Sequence, residues 1–149
     1  MSEEVVDALM RASRALVTIT ARSLASVNTD VTLAQFRTLV VLSNQGPQPV
    51  GALAEHLDVH ASTMTRMCNR LVARGLIDRA PSAADRREVV VTLSTKGTTL
   101  VADVMERRRR DLHAVVSCMT PDERVVAIEA LGKFARAAGE TVEESHEAI

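Results

Sequence analysis

Between Pro49 and Gly97 the chain carries a pattern that leaves few folds open. An apolar-spaced helix is followed by a tight turn, a second amphipathic helix, and two short strands with a basic loop between them. In the second helix, Met64, Met67, Cys68 and Leu71 gather on one side at 100° per residue. Ser62, Arg66, Asn69 and Ala73 gather on the other, flanked by Thr65 and Arg70. The first face asks for a core. The second offers hydroxyl, amide and guanidinium groups, which hydrogen-bond base edges and phosphates in a DNA major groove; an ordinary solvated helix face is the plainer alternative. Gly75 is expected to stop the helix in a left-handed conformation. Ile77 to Ala80 and the β-branched run Val89–Leu93 can then pair as a hairpin. Its loop, Pro81 to Glu88, holds Arg86 and Arg87. A helix-turn-helix followed by a hairpin with a basic tip is a winged helix, and such a tip can reach the minor groove beside the helix.

The charge distribution agrees with that reading better than the total does. The 149 residues sum to −1, yet residues 60–88 hold six arginines against Asp78, Asp85 and Glu88, while both flanking segments are net acidic. Phe36 and Phe134 are the only aromatic residues, which weighs against single-strand or RNA binding on stacking platforms. A chain of this length is one domain's worth and can bury about two thirds of its unfolded surface. No apolar run approaches a membrane span and the first residues lack the basic start of a secretory signal, so a cytoplasmic protein without membrane contact is expected.

Along the rest of the chain, Glu3 to about Val27 reads as a long helix, with Val5, Leu9, Ala12, Leu16 and Ile19 near helical spacing. Thr32-Leu33-Ala34-Gln35 has the form of a capping box opening a helix that carries Phe36, Leu39 and Val40. Gly46-Pro47 closes that helix. Val50, Leu53, Ala54 and Leu57 mark the supporting helix of the motif. Ser94 can cap a helix from Thr95 to about Cys118, and Thr120-Pro121-Asp122-Glu123 starts a last helix that leads into an acidic tail. The first and last helices carry more apolar surface than a small winged helix needs.

Taken together, Ser62-Thr63-Met64-Thr65-Arg66, Leu71 to Arg79, Asp85-Arg86-Arg87 and Val89 to Gly97 resemble the MarR (multiple antibiotic resistance regulator) family of bacterial transcription factors. The Asp-x-Arg wing followed by Leu-Ser-x-x-Gly is the most specific part. The resemblance implies a mainly α fold with a small β-hairpin wing, one domain spanning 1–149. Within it, residues 32–97 would form the winged helix-turn-helix, and residues 1–31 and 98–149 would interlock two protomers into a homodimer suited to a palindromic operator. It implies DNA contacts from Ser62, Thr63, Thr65, Arg66, Asn69, Arg70, Asp85, Arg86 and Arg87, with Arg87 entering the minor groove and Asp85 holding the loop. It further implies a repressor released by a small, often phenolic or anionic, effector. Two positions depart from the family pattern: Asp58 stands where glycine is usual, and His60 replaces a Ser or Thr N-cap.

Other signals weigh less. Arg107 to Arg110 wrap the circumference of a helix and are read as solvated or ion-paired at a dimer interface. His56 and His60 are four apart but straddle a turn, so no metal and no cofactor is expected. Cys68 is expected buried and inert, and no cysteine lies in the first helix, where some relatives sense peroxides. No catalytic motif appears, and an enzyme is not expected. The competing readings are a winged-helix module that binds protein instead of DNA, and a metal-responsive regulator.

Overall fold

A computed structural model describes residues 2–28 and 30–140; the acidic tail beyond Glu140 lies outside them. Two compact units divide the chain, Met1–Asp111 and Leu112–Ile149. The first begins with α1 (Ser2–Val27), α2 (Leu33–Gln45), β1 (Gln48–Pro49), α3 (Val50–His56) and α4 (Ala61–Ala73). It continues with β2 (Ile77–Pro81), β3 (Val89–Leu93) and most of α5 (Thr95–Val116). The second holds the end of α5 and α6 (Pro121–Ala137). The fold is mainly helical with a small sheet, as the sequence implies.

Helix starts follow local chemistry. At α2 the Thr32 hydroxyl accepts from the Gln35 backbone N–H at 3.1 Å, and the Gln35 side chain accepts from the Thr32 N–H at 3.1 Å. At α6 the Thr120 hydroxyl accepts from the Glu123 N–H at 3.3 Å while the Glu123 carboxylate accepts from the Thr120 N–H at 2.8 Å. Pro121 fills the first turn, where its missing N–H costs nothing.

The expected hairpin is present, and a third short strand joins it. The sheet order is β1-β3-β2, all antiparallel, with Gln48 opposite Val91 and Pro49 opposite Val90. Two residues are too short for any periodicity to betray them, and Pro49 has no N–H to give the ladder. The β2–β3 hairpin runs in register from Ile77 opposite Leu93 to Pro81 opposite Val89.

The core of the first unit lies where α2, α3, α4, the sheet and α5 converge. Leu39, Leu53, Met64, Leu71, Leu76, Ile77, Val91 and Val104 are all essentially without solvent contact. The hydroxyl of Ser23 on α1 lies 3.1 Å from the Asp111 carboxylate, tying α1 to α5. Upstream of Ser23, however, no described residue of α1 is fully buried: Leu9 and Ile19 are half-buried, and Val5, Val6, Met10, Leu16 and Val17 are exposed.

Gly97 makes the tightest approach in this core. It is buried in the first turn of α5, and a Cβ there would run into the Leu76 backbone carbonyl and crowd the Leu93 side chain. Its N–H donates to the Ser94 hydroxyl at 3.0 Å, which caps α5, and that hydroxyl in turn donates to the Gly75 carbonyl. Gly97→Ala is therefore expected to destabilise the protein by about 1–3 kcal/mol, because backbone rather than a side-chain tip must yield. Urea unfolding of the two proteins at matched concentration checks this, and an unchanged midpoint would refute the close approach.

Candidate nucleic-acid interface

The turn before α4 is closed by backbone geometry alone. Asp58 adopts φ 52°, its N–H donates to Glu55 O at 3.2 Å, and the Val59 N–H reaches back to Ala54 O at 3.0 Å. That pairing is the Schellman closure, which usually takes glycine at the left-handed position; Asp tolerates it better than most residues. His60 then stands at the N-cap in an extended conformation with no side-chain hydrogen bond to the helix. Gly75, at φ 71°, ends α4 by the same closure, with Gly75 N–H on Val72 O at 2.9 Å and Leu76 N–H on Leu71 O at 3.0 Å.

Between these ends α4 divides as its spacing predicts. Met64, Cys68 and Leu71 are buried and Met67 is half-buried, its sulfur 3.0 Å from the Thr38 hydroxyl. Ser62, Thr65, Arg66, Asn69 and Arg70 are exposed, whereas Thr63 is half-buried. The Thr65 hydroxyl donates to Ala61 O at 2.9 Å, which leaves it as an acceptor outward. Neither Arg66 nor Arg70 pairs with a carboxylate among the described residues.

The hairpin loop is held by its own polar groups. The Asp85 carboxylate accepts from the Arg87 N–H at 3.0 Å, and the Glu88 N–H donates to Asp85 O at 3.0 Å. The Ser82 hydroxyl accepts from the Ala84 N–H at 3.2 Å, while Ser82 N–H closes the loop on Glu88 O at 2.8 Å. Asp85 thus orders the turn, and the Arg86 and Arg87 side chains remain exposed.

One residue of this surface was not among the candidates read from the sequence. Arg79, exposed on β2 opposite Val91, donates through Nη1 to Oδ1 of Asn69 on α4. With Val50, Thr65, Cys68 and Val89 it lines a cavity of about 210 Å³ between helix and hairpin. The bond is tertiary, formed only when the turn at Gly75 folds β2 against α4.

A match to the MarR family covers residues 31–89. The multiple antibiotic resistance protein MarR of Salmonella typhimurium is 31% identical over 104 residues, 70% of this chain and 72% of that protein. The chain belongs to the MarR family of transcriptional regulators. Among solved MarR-like structures, RV1404 from Mycobacterium tuberculosis superimposes with TM-score 0.88 at 42% identity, over 97% of this chain and 98% of that one. BpsR of Bordetella bronchiseptica, whose DNA binding is regulated by 6-hydroxynicotinic acid, gives 0.67 at 28% identity, over 89% and 98%.

Other residues singled out by sequence fall elsewhere. His56 ends α3 and His60 precedes α4; among the described residues no three His, Cys, Asp or Glu side chains assemble as a metal group. No described helix is long and apolar enough to cross a membrane. Arg110 pairs with Glu106 at 3.6 Å, and Arg107 and Arg109 are exposed. Cys118 is exposed and Cys68 is buried. Burial pushes the Cys68 thiol above its ordinary range, against a smaller downward pull from the Arg79 guanidinium, so it stays protonated at neutral pH. A disulfide reagent at neutral pH should therefore titrate one thiol in the native protein and two after unfolding. Rapid reaction of both in the native state would contradict the buried thiol.

Proposed function

We propose that the chain acts as a homodimer that binds a palindromic operator in double-stranded DNA and represses transcription by occupying it. The observation that carries this reading is the joint placement of two elements on one small sheet-and-helix scaffold. They are the exposed polar face of α4 and a hairpin tip whose two arginines pair with no carboxylate among the described residues. An α-helix with its side chains is about 10–12 Å across and enters a major groove about 12 Å wide. Ser62, Thr65, Arg66, Asn69 and Arg70 would then meet base edges and phosphates, with Thr63 at the margin, and Arg86 and Arg87 would lie along the adjacent minor groove with Asp85 fixing their loop.

A single helix and wing span one half-site, so a palindromic operator calls for a second copy. Support for that copy comes from apolar side chains that nothing within a unit covers: Val5, Val6, Met10 and Val17 on α1, and Val125, Val126, Ile128, Leu131 and Phe134 on α6. Ile128 is 74% exposed, which a helix in water does not sustain at its apolar stripe without a partner. The likeness to BpsR extends the proposal to a small phenolic or anionic effector that lowers DNA affinity.

Selection of bound fragments from sheared genomic DNA, followed by gel-shift titration, tests the reading. Arg66→Ala is expected to cost about 1–3 kcal/mol per subunit on the operator and to relax specificity at particular bases. Arg87→Ala should weaken operator and unrelated duplexes more evenly and make the salt dependence shallower by about one unit for each phosphate it no longer neutralises. If neither substitution changes operator binding at moderate salt, the assignment of α4 is wrong. Sedimentation at micromolar concentration should give about twice the 16.1 kDa chain mass, and a monomer with or without DNA would overturn the two-fold arrangement.

A further inference from the structure

The bond between Arg79 and Asn69 constrains what Asn69 can read. Ordinarily an asparagine amide is ambivalent, with a carbonyl that accepts and an NH2 that donates, and it recognises adenine by using both, on N6 and N7. Here the group facing the amide is a guanidinium, which has five N–H donors and no acceptor. Only the carbonyl oxygen can lie against it, so the orientation of the amide follows from chemistry rather than from choice. Asn69 Oδ1 is engaged and Nδ2 is left to the exposed face of α4. An adenine N6–H approaching the carbonyl would find one lone pair of that oxygen taken by the guanidinium, and the bond the other lone pair can still accept is weakened by the positive charge beside it. Adenine N7 can also accept from Nδ2, but only an edge with a carbonyl acceptor, guanine with O6 beside N7 or thymine with O4, meets these N–H donors and the positive charge without setting an N–H of its own against them.

We infer that Arg79 is a specificity-setting positioning residue. Held on β2, it turns Asn69 into a donor that selects guanine or thymine over adenine at one position of each half-site. The inference rests on the DNA-binding reading above. It also makes the hairpin part of the base-reading machinery through its first strand, independently of the arginines at its tip.

The full-length protein and two variants, Arg79→Met and Asn69→Asp, would each be taken through selection from randomised duplexes, followed by titration of single-base operator variants. The position whose preference changes in Asn69→Asp identifies the base that Asn69 reads. In the parent that position should be guanine or thymine, with adenine about five- to a hundredfold weaker. Arg79→Met should shift this position toward adenine and leave the positions that depend on Arg66 as they were. Asn69→Asp keeps an oxygen for Arg79 but has no N–H, so it should move the position toward cytosine or adenine, which present donors. Adenine in the parent, an unchanged preference in Arg79→Met, or a uniform loss at all positions would overturn the inference while leaving DNA binding intact. Should Arg79→Met fail to fold, Arg79→Ala takes its place, with the same expected shift toward adenine and the same result overturning the inference. An Asn69→Asp variant with no altered position also overturns it. A parent that enriches no sequence removes the DNA-binding reading itself, and this inference with it.

Discussion

The arrangement of this surface depends on one close approach between backbones, where the first turn of α5 meets the turn that ends α4. With no side chain at Gly97, the helix lies directly on the Leu76 carbonyl. The Ser94 hydroxyl serves the N–H of Gly97 on one side and the carbonyl of Gly75 on the other. Three elements are therefore joined within a few residues: the end of α4, the base of the β2–β3 hairpin and the start of α5. The angle between helix and hairpin is set there, because β2 begins one residue after Leu76 and β3 ends one residue before Ser94. Every property of the polar surface that needs both elements inherits that angle.

Rotation of α4 about its own axis is fixed separately, by burial of Met64, Cys68 and Leu71. Met64 and Leu71 each contribute roughly 1.5–3 kcal/mol when fully removed from water, and the small Cys68 thiol less. A rotation of one residue would expose them and bury arginine, so the polar face has one permitted direction. Apolar packing thus aims the polar groups, and the backbone approach sets their neighbour.

Much of this was legible in the sequence because it is local. The capping boxes at Thr32 and Thr120, the division of α4 into two faces, the left-handed residues at Asp58 and Gly75 and the cap at Ser94 all follow from residue types at short spacing. What could not be read was set by tertiary structure. Gln48–Pro49 becomes a strand only because β3 offers it a partner. Thr63 proves half-buried because its surroundings, rather than its position on a helical wheel, decide its exposure. The bond from Arg79 to Asn69 joins a strand to a helix across the turn at Gly75, and no spacing rule for either element alone predicts it. For α1 and α6 the apolar positions were evident, but periodicity says nothing about which surface they meet.

The loop at the end of the hairpin carries a further consequence. Seven residues with two adjacent arginines, Ser82 to Glu88, would ordinarily sample many backbone states, and each residue fixed on binding would cost about 1–2 kcal/mol of entropy. In this loop Ser82 and Asp85 already commit their oxygens to the N–H groups of Ala84 and Arg87, and Pro81 removes one torsion at its entrance. Much of the ordering has thus been completed during folding. Association then has mainly the two long side chains left to immobilise, and the tip meets any partner as a largely preorganised shape rather than as a chain that must first be straightened.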